Sequence, residues 1–223
     1  MRVRQALAHA IDQPALVRGV FRGTVAPATG GLAPPGLPGH SPGIGLAYDP
    51  DRARRLLAEA GCPGGRGFPR IEAWINTSEN GLQMGRYAQR QWRELLGIEF
   101  EWEEMDVNTY LRRLNASTPH LFVGGWLADF PDPVSFLDLA MHANYSRWRD
   151  TRYEQLLDAA RRMPDQAERL KFYRAADRLL VEEAAIIPML HFRWHLLKKP
   201  WVRQYPVSSL RVAYFADVIL EAH

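Results

Sequence analysis

Cysteine is scarce in this sequence, and long hydrophobic runs are missing. Cys62 is the only cysteine among 223 residues, so no disulfide can form within the chain, and this usage is compatible with either side of a membrane. No apolar run approaches the ~18 residues that span a bilayer. The opening residues, which include Arg2 and Arg4, form an amphipathic pattern without a signal-peptide core. Secretion therefore cannot be read from this chain.

Local enzyme motifs are missing as well. The sequence has no Gly-x-Ser-x-Gly elbow, no His-Glu-x-x-His pair and no phosphate loop, and its seven histidines are scattered. A hydrolase would need a site assembled from distant residues. We therefore predict that the protein is not an enzyme and uses no cofactor, with a hydrolase kept as a remote alternative.

Neither charge sign dominates. The 28 Lys and Arg residues outnumber the 25 Asp and Glu residues only slightly, for a net charge of +3, and the two signs are interleaved along the chain. Three Arg-Arg pairs lack the neighbouring aromatic residues of a single-strand binding groove. Together with 47% hydrophobic and 24% charged residues, this pattern predicts a soluble globular protein without a nucleic-acid partner.

The hydrophobic spacing predicts an α/β fold. Residues 71–75 alternate like a strand, residues 84–95 have helical spacing and stop at Gly97, and residues 98–103 alternate again, with glutamates in every second position. Strand, helix and strand in this order predict a right-handed βαβ unit in a mainly parallel sheet flanked by helices. A further strand is expected over residues 120–126, and an edge strand over residues 185–190.

Helix starts and one long loop are also indicated. Asp12, Asp49 and Asp165 each precede a helical pattern and are expected to act as N-caps. Residues 23–50 are rich in proline and glycine, which favours turns and extended backbone. We expect this segment to wrap in an ordered way across the domain, the alternative being a flexible linker.

The run at residues 124–133 (GGWLADFPDP) is the predicted site. It follows an apolar strand directly, and ligands of open α/β sheets bind beyond the carboxyl ends of the strands. Paired glycines allow the backbone to approach a ligand closely. Asp132 and Pro133 are expected to start the next helix. The alternative is a tight turn whose Trp126 only fills the core.

Four segments resemble one family. They are residues 3–8 (VRQALA) with 10–12 (AID), 48–50 (YDP) with 56–61 (LLAEAG), 125–133 (GWLADFPDP) with 135–137 (SFL), and 186–189 (IIPM). In this order they resemble the peptide/nickel class of ABC-transporter extracellular solute-binding proteins, over nearly the whole chain. His120 departs from the family, whose members often have Asp at that position.

The resemblance implies a fold, a division of the chain into two parts, and a function. It implies the C-terminal lobe of a type II periplasmic-binding fold, in which residues 1–200 form the ligand-binding lobe and residues 201–223 pack on a first lobe that this chain lacks. The implied function is the binding of short peptides or similar amine-bearing solutes for an ABC importer, by closure of two lobes. The implied partners are the solute, the first lobe and the permease subunits. The implied location is the periplasm or a lipid anchor on the outer face of the cytoplasmic membrane.

The resemblance also implies site residues. The carboxylate of Asp129 is expected to pair with a peptide α-ammonium group, while the backbone around Gly125, Trp126 and Leu127 bonds the peptide main chain. Other residues expected to contact the ligand are Phe130, Asn144, Tyr145 and Trp148. A surface loop with an anchoring aromatic is the alternative for the last three.

Other interpretations remain open at this stage. The same lobe could sense a ligand for a transcription regulator, with a DNA-binding segment elsewhere in the protein. The alternating Glu99, Glu101 and Glu103 are expected to form the solvent face of an edge strand and not a metal site. His191 and His195 are four residues apart, but in a strand pattern without a third ligand close in sequence, so no metal site is predicted.

Overall fold

The structure, a computed structural model, describes residues 1–138, 147–207 and 214–222. The helices are α1 (Arg2–His9), α2 (Gln13–Gly19), α3 (Pro50–Glu59), α4 (Glu79–Leu96), α5 (Val107–Ala116), α6 (Val134–Leu137), α7 (Thr151–Arg162) and α8 (Gln166–Glu182). The strands are β1 (Ala26–Pro27), β2 (Ala73–Asn76), β3 (Glu103–Met105), β4 (Leu121–Phe122), β5 (Leu190–His191), β6 (Val202–Gln204) and β7 (Ile219–Leu220). Short 3₁₀ helices lie at Pro63–Gly65 and Phe215–Asp217.

A parallel sheet forms the centre of the fold, as predicted. Its strand order is β3-β2-β4, and both neighbours of β2 run parallel to it. Helix α4 connects β2 to β3, begins at Ser78, whose hydroxyl accepts the Gly81 N–H, and ends at the left-handed Gly97. The remaining pairs are antiparallel: β1 with β5, and β6 with β7. The three aspartates expected as N-caps, Asp12, Asp49 and Asp165, all accept a backbone N–H at a helix start.

The strand predicted over residues 98–103 is wrong in extent, because β3 begins only at Glu103. The alternating apolar side chains pack against α4 before the sheet begins. The Phe100 carbonyl accepts from the Gln89 side chain at 2.6 Å, and the Trp102 indole donates to the Gly85 carbonyl at 3.1 Å. Contacts with α4 therefore replace the strand pairing that the alternating pattern predicted for residues 98–102. Glu99 and Glu101 are exposed.

Two larger apolar clusters form most of the core, and the wrapping loop, residues 23–49, contributes Val25 to one and Leu32 to the other. One joins α1, α2, α3 and α4, and its helices are fixed by the Trp92 indole donating to the Leu7 carbonyl at 2.9 Å. The other joins α6, α7 and α8 around Tyr153, whose hydroxyl donates to the Leu137 carbonyl at 2.7 Å. A smaller cluster around Trp74 lies between the sheet and α5.

The wrapping loop is bound to both sides of the fold. Within it, Gly31 N–H donates to the Ser41 carbonyl at 2.9 Å, and Gly45 N–H donates to Thr29 at 3.0 Å. Strand β1 pairs with β5, which is the only regular part of the edge strand expected over residues 185–190. These bonds satisfy backbone groups that would otherwise need water.

Asp177 of α8 attaches the loop to the second cluster. Its side chain is only 1% exposed, and Oδ1 accepts the Leu32 N–H at 2.8 Å. A Cβ added to Gly31 would lie 1.8 Å from Oδ2, so the backbone can approach the carboxyl only because residue 31 is glycine. Burial raises the pKa of Asp177 to about 6, and burial lowers the pKa of His191, whose ring lies edge-on to His40, to about 4.

These two shifts have opposite effects on stability. Between about pH 4 and 6, native Asp177 binds a proton that the unfolded chain releases, so its contribution to stability falls as pH rises. Native His191 lacks a proton that the unfolded chain binds below about pH 6.5, so its contribution rises with pH from about 4. The two contributions offset each other in the native protein.

We expect single substitutions to reveal each contribution. Between pH 4 and 6, the free energy of unfolding of Asp177→Asn should rise relative to that of the parent protein. The free energy of unfolding of His191→Phe should fall relative to the parent over the same range. Each change should amount to about 1–2 kcal/mol. Urea unfolding at pH 4, 5, 6 and 7 measures these slopes. Parallel curves for the parent and both variants would contradict the assignment.

Candidate ligand-binding site

The predicted site lies at the carboxyl edge of the sheet. Since β2, β3 and β4 are parallel, the segments that follow them meet at this edge. Residues 124–133 leave β4 here without regular structure and lead into α6. We call residues 124–133 the site loop.

The strand expected over residues 120–126 is much shorter in the structure. Only Leu121–Phe122 forms β4, with Val123 N–H adding one bond to the Trp74 carbonyl at 3.2 Å. The Val123 carbonyl instead accepts the Tyr110 hydroxyl of α5 at 2.8 Å. Because this acceptor bonds a side chain and two glycines follow, the ladder ends and the site loop turns away from β2. His120 precedes the strand, where Nδ1 accepts the Glu72 N–H at 3.0 Å.

The far half of the site loop is fixed to α6. Asp129 N–H donates to the Ser135 hydroxyl at 2.9 Å, and Asp132 N–H donates to the Phe130 carbonyl at 2.8 Å. The expectation that Asp132 is the N-cap and Pro133 the first helical residue is wrong by one position, because Pro133 is the N-cap and α6 begins at Val134. Asp132 Oδ1 nevertheless accepts the Val134 N–H, the first of the helix, at 3.0 Å. Asp132 Oδ2 is paired with Arg169 of α8 at 3.1 Å.

The first residues of the site loop lie at the protein surface. Gly125, Trp126 and Leu127 are exposed, and so are Asp129 and Phe130, although their backbone groups are bonded further along the chain. Among the described residues, Gly125 and Leu127 form no backbone hydrogen bond, and a Cβ added to Gly125 would meet open space. Nothing inside the described fold therefore requires glycine at position 125.

Asp129 and Asp132 have distinct roles in the site loop. Asp132 is committed to a helix cap and an ion pair, both internal to the fold. The Asp129 carboxylate is exposed and has neither a hydrogen bond nor an ion pair with any residue in the described ranges. An exposed carboxylate beside free backbone groups can receive a cation at a fixed place.

Of the other expected contacts, only Trp148 lies among the described residues. Trp148 is half-buried and packs edge-on against Tyr153, with ring centroids 5.1 Å apart, as part of the cluster around α7 and α8. This is the anchoring aromatic of the alternative interpretation. Asn144 and Tyr145 lie outside the described residues. Their role as ligand contacts stays a prediction, as does that of Trp148.

Three contributors to the site loop escaped sequence reasoning. No sequence pattern pointed to a role for Tyr110 or Arg169, and Ser135 stood out only as part of a family motif. The fourth connection comes from the wrapping loop, where Gly39 has φ +87° and a Cβ added to it would lie 2.7 Å from Pro133 Cγ. A glycine in a proline-rich stretch indicates a turn, but it does not indicate which distant residue, here Pro133, packs against that turn.

The described residues contain neither a cluster of metal ligands nor a membrane-spanning helix. No three His, Cys, Asp or Glu side chains are grouped there as metal ligands would be. His195 Nε2 lies 2.7 Å from the Thr24 carbonyl, while His191 packs beside His40. No helix in the same ranges is long and apolar enough to cross a membrane.

The site loop thus places an exposed carboxylate at the carboxyl edge of a parallel sheet, where ligands of α/β proteins usually bind. Comparison with known sequences gives the family. The profile of "Bacterial extracellular solute-binding proteins, family 5 Middle" matches residues 1–148, and the chain belongs to this family. The resemblance stated from the four motifs is thereby confirmed.

Named relatives agree with this assignment. The dipeptide-binding protein of Escherichia coli (strain K12) is 27% identical over 99% of this chain and 43% of its own length. Di/tripeptide-binding protein 3 of Pseudomonas aeruginosa (strain UCBPP-PA14) is 30% identical over 86% of this chain and 37% of its own length. The chain thus spans less than half the length of these relatives.

Solved structures confirm the fold. The E. coli murein tripeptide binding protein MppA superposes with a TM-score of 0.84 at 27% identity, over 100% of this chain and 45% of that one. Its unliganded open form gives a TM-score of 0.82. The chain has the α/β fold of a type II periplasmic-binding-protein lobe, as predicted.

We expect Gly39→Ala to destabilise the protein more than Gly36→Ala. Both glycines have positive φ, +87° and +90°, so alanine at either should cost about 1–2 kcal/mol. Only at residue 39 does the added methyl meet Pro133 and Leu170, which should cost about 1–3 kcal/mol more. Urea unfolding measures both losses. Equal losses would show that the wrapping loop does not support the site loop.

Proposed function

We propose that this chain is one lobe of the substrate-binding component of an ABC importer and binds short peptides or similar amine-bearing solutes. The observation that carries the proposal lies in the site loop, where the exposed Gly125 and Leu127 form no backbone hydrogen bond with the described residues and the exposed Asp129 carboxylate has no partner among them. Relatives named for dipeptides, di/tripeptides and a murein tripeptide support the same class of ligand.

The backbone of Gly125, Trp126 and Leu127 is proposed to pair with the main chain of the peptide. Pairing of this kind resembles the addition of a strand, and it is blind to the peptide's side chains, so it suits a protein that accepts many sequences. Gly125 supports the idea, since its missing side chain leaves open space beside the backbone.

Asp129 is proposed to anchor the α-ammonium group. One carboxylate at a fixed place requires a cation there, and so sets the register of a peptide that the backbone bonds would otherwise leave free to slide. The neighbouring Asp132 is already committed to α6 and Arg169. Trp126 and Phe130 are exposed beside it and are proposed to cover the ligand.

A first lobe is proposed to form the other wall of the cleft and to close over the ligand. The part of each relative that this chain does not cover, more than half of its length, leaves room for such a lobe. Exposed apolar residues in the last part of the chain support a docking surface, with Phe215 73% exposed and Leu220 65% exposed. In this proposal residues 1–200 bind the ligand and residues 201–223 pack on the first lobe.

The remaining parts of the proposal follow from the family. An importer component works with ABC permease subunits, and it acts in the periplasm or from a lipid anchor on the outer face of the cytoplasmic membrane. Ligand binding would shift the equilibrium between open and closed lobes by the extra affinity of the closed form. The proposal includes no nucleic-acid partner, no cofactor and no catalysis.

We expect the 223-residue chain by itself to bind peptides weakly. One wall of a cleft leaves a ligand half solvated, whereas sites of this kind enclose about 70–90% of the ligand surface. Calorimetry of the chain against a dipeptide and tripeptide library should give dissociation constants well above micromolar. Sub-micromolar binding would mean that the whole site lies within this chain.

Asp129→Ala should abolish the preference for a free amine. In a two-lobe protein that joins this chain to a first lobe, the substitution should cost about 2–5 kcal/mol of affinity, largely because the ligand's ammonium group is left unpaired. Acetylating the peptide amine should weaken binding to the parent by a similar amount, and the variant should hardly distinguish the two peptides.

The matched control is Glu101→Ala, an exposed carboxylate at the amino end of the same sheet. It should bind both peptides like the parent. If the Asp129 variant kept the parent's preference for the free amine, Asp129 would not be the anchor.

A further inference from the structure

The Asp132–Arg169 pair joins the site loop to the longest helix of the second cluster. Arg169 Nη2 lies 3.1 Å from Asp132 Oδ2, and the two side chains are only 31% and 20% exposed. By contrast, the Arg178–Glu182 pair on the same helix is 60% and 56% exposed, with its atoms 3.8 Å apart. A shielded pair is less screened by salt than an exposed one, so the Asp132–Arg169 contact has the stronger hold of the two.

The surroundings of Asp132 reinforce its orientation. Tyr173, one turn further along α8, is buried, and its pKa is raised by burial and by the negative charge of Asp132. Pro133, next in sequence, is buried against Leu170 and the wrapping loop near Gly39. The Asp132 carboxylate thus lies between α8 and the start of α6.

A short series of hydrogen bonds connects this pair to Asp129. The Asp132 carbonyl accepts the Ser135 N–H at 3.1 Å, and its carboxylate accepts the Val134 N–H at 3.0 Å. Ser135, which is 7% exposed, then accepts the Asp129 N–H with its hydroxyl at 2.9 Å. Each bond fixes the next residue, so a shift of Asp132 would be passed to the backbone of Asp129.

We propose that Arg169 is a positioning residue that sets the direction of the Asp129 carboxylate and thereby the amine selectivity of the site. Arg169 does not contact the ligand in this proposal, and it acts only through Asp132 and Ser135. The part concerning selectivity depends on the proposed function of Asp129, whereas the part concerning the position of Asp129 does not.

Arg169 makes this contact through one nitrogen, which provides a rescue test. Its Nε is buried and has no partner in the described part of the chain. A bidentate pair would be lost on substitution by lysine, but a pair through a single nitrogen can be kept by an ammonium group. Arg169→Lys should therefore retain the function that Arg169→Gln loses.

The first experiment uses the chain itself and needs no ligand. Amide hydrogen exchange by NMR should show the Asp129 N–H losing protection by about tenfold in Arg169→Gln and in Asp132→Asn, because local opening of the site loop becomes easier. Arg169→Lys should stay near the parent. Arg178→Gln, which removes the exposed pair on the same helix, is the control and should leave this amide unchanged. Unchanged protection in Arg169→Gln would overturn the proposal.

The second experiment measures selectivity in the two-lobe protein. The parent's ratio of affinities for free-amine and acetylated dipeptide should fall about tenfold in Arg169→Gln, and the double variant with Asp132→Asn should lose no more than either single variant, since both substitutions break one link. A loss of overall stability alone would weaken both peptides equally and leave the ratio unchanged, which would also overturn the proposal. If the parent itself showed no preference for the free amine, the proposed function would fail, while the exchange result would still decide the positioning role.

Discussion

Helix α8 is the support on which two irregular loops depend, and charged side chains form the contact at both. Asp177 accepts a backbone N–H from the wrapping loop, and Arg169 pairs with Asp132 of the site loop. Neither loop has a regular ladder of its own beyond the short β1–β5 pairing. Packing of α8 against α7 makes the helix rigid, and the polar contacts extend that rigidity to residues that pack poorly themselves.

This division explains why the site loop is rigid at one end and open at the other. The Asp129 N–H and the Asp132 carboxylate are used by Ser135, Val134 and Arg169. By contrast, Gly125 and Leu127 form no backbone hydrogen bond within the described ranges, and residue 125 is glycine although no described neighbour requires it. Groups left unused by the fold are those available to a ligand, and a fixed support beside them keeps the geometry of binding preorganised.

The attachment of the wrapping loop includes two titratable groups whose pKa shifts offset each other. The buried Asp177 and the half-buried His191 both face this loop, through Leu32 and His40, and burial moves their pKa values in opposite directions. Both therefore tend to be neutral between the two shifted values, so the region avoids a buried net charge. The outcome is a loop attachment whose stability depends little on pH as long as both groups are present.

The sequence alone determined the class of fold, the helix caps at Asp12, Asp49 and Asp165, the family, and the position of the site loop, because hydrophobic period, capping chemistry and local motifs are short-range properties. The sequence predicted β3 too early and β4 too long. An alternating pattern indicates which side chains are buried, but not which backbone groups pair with another strand. In the structure, side chains of α4 and Tyr110 bond the carbonyl groups that a longer ladder would have used. Only the tertiary structure showed that Asp132 has an internal partner while the Asp129 carboxylate has none among the described residues. The reason is that Arg169, the partner of Asp132, lies 37 residues further along the chain and meets it only when α8 packs against α6.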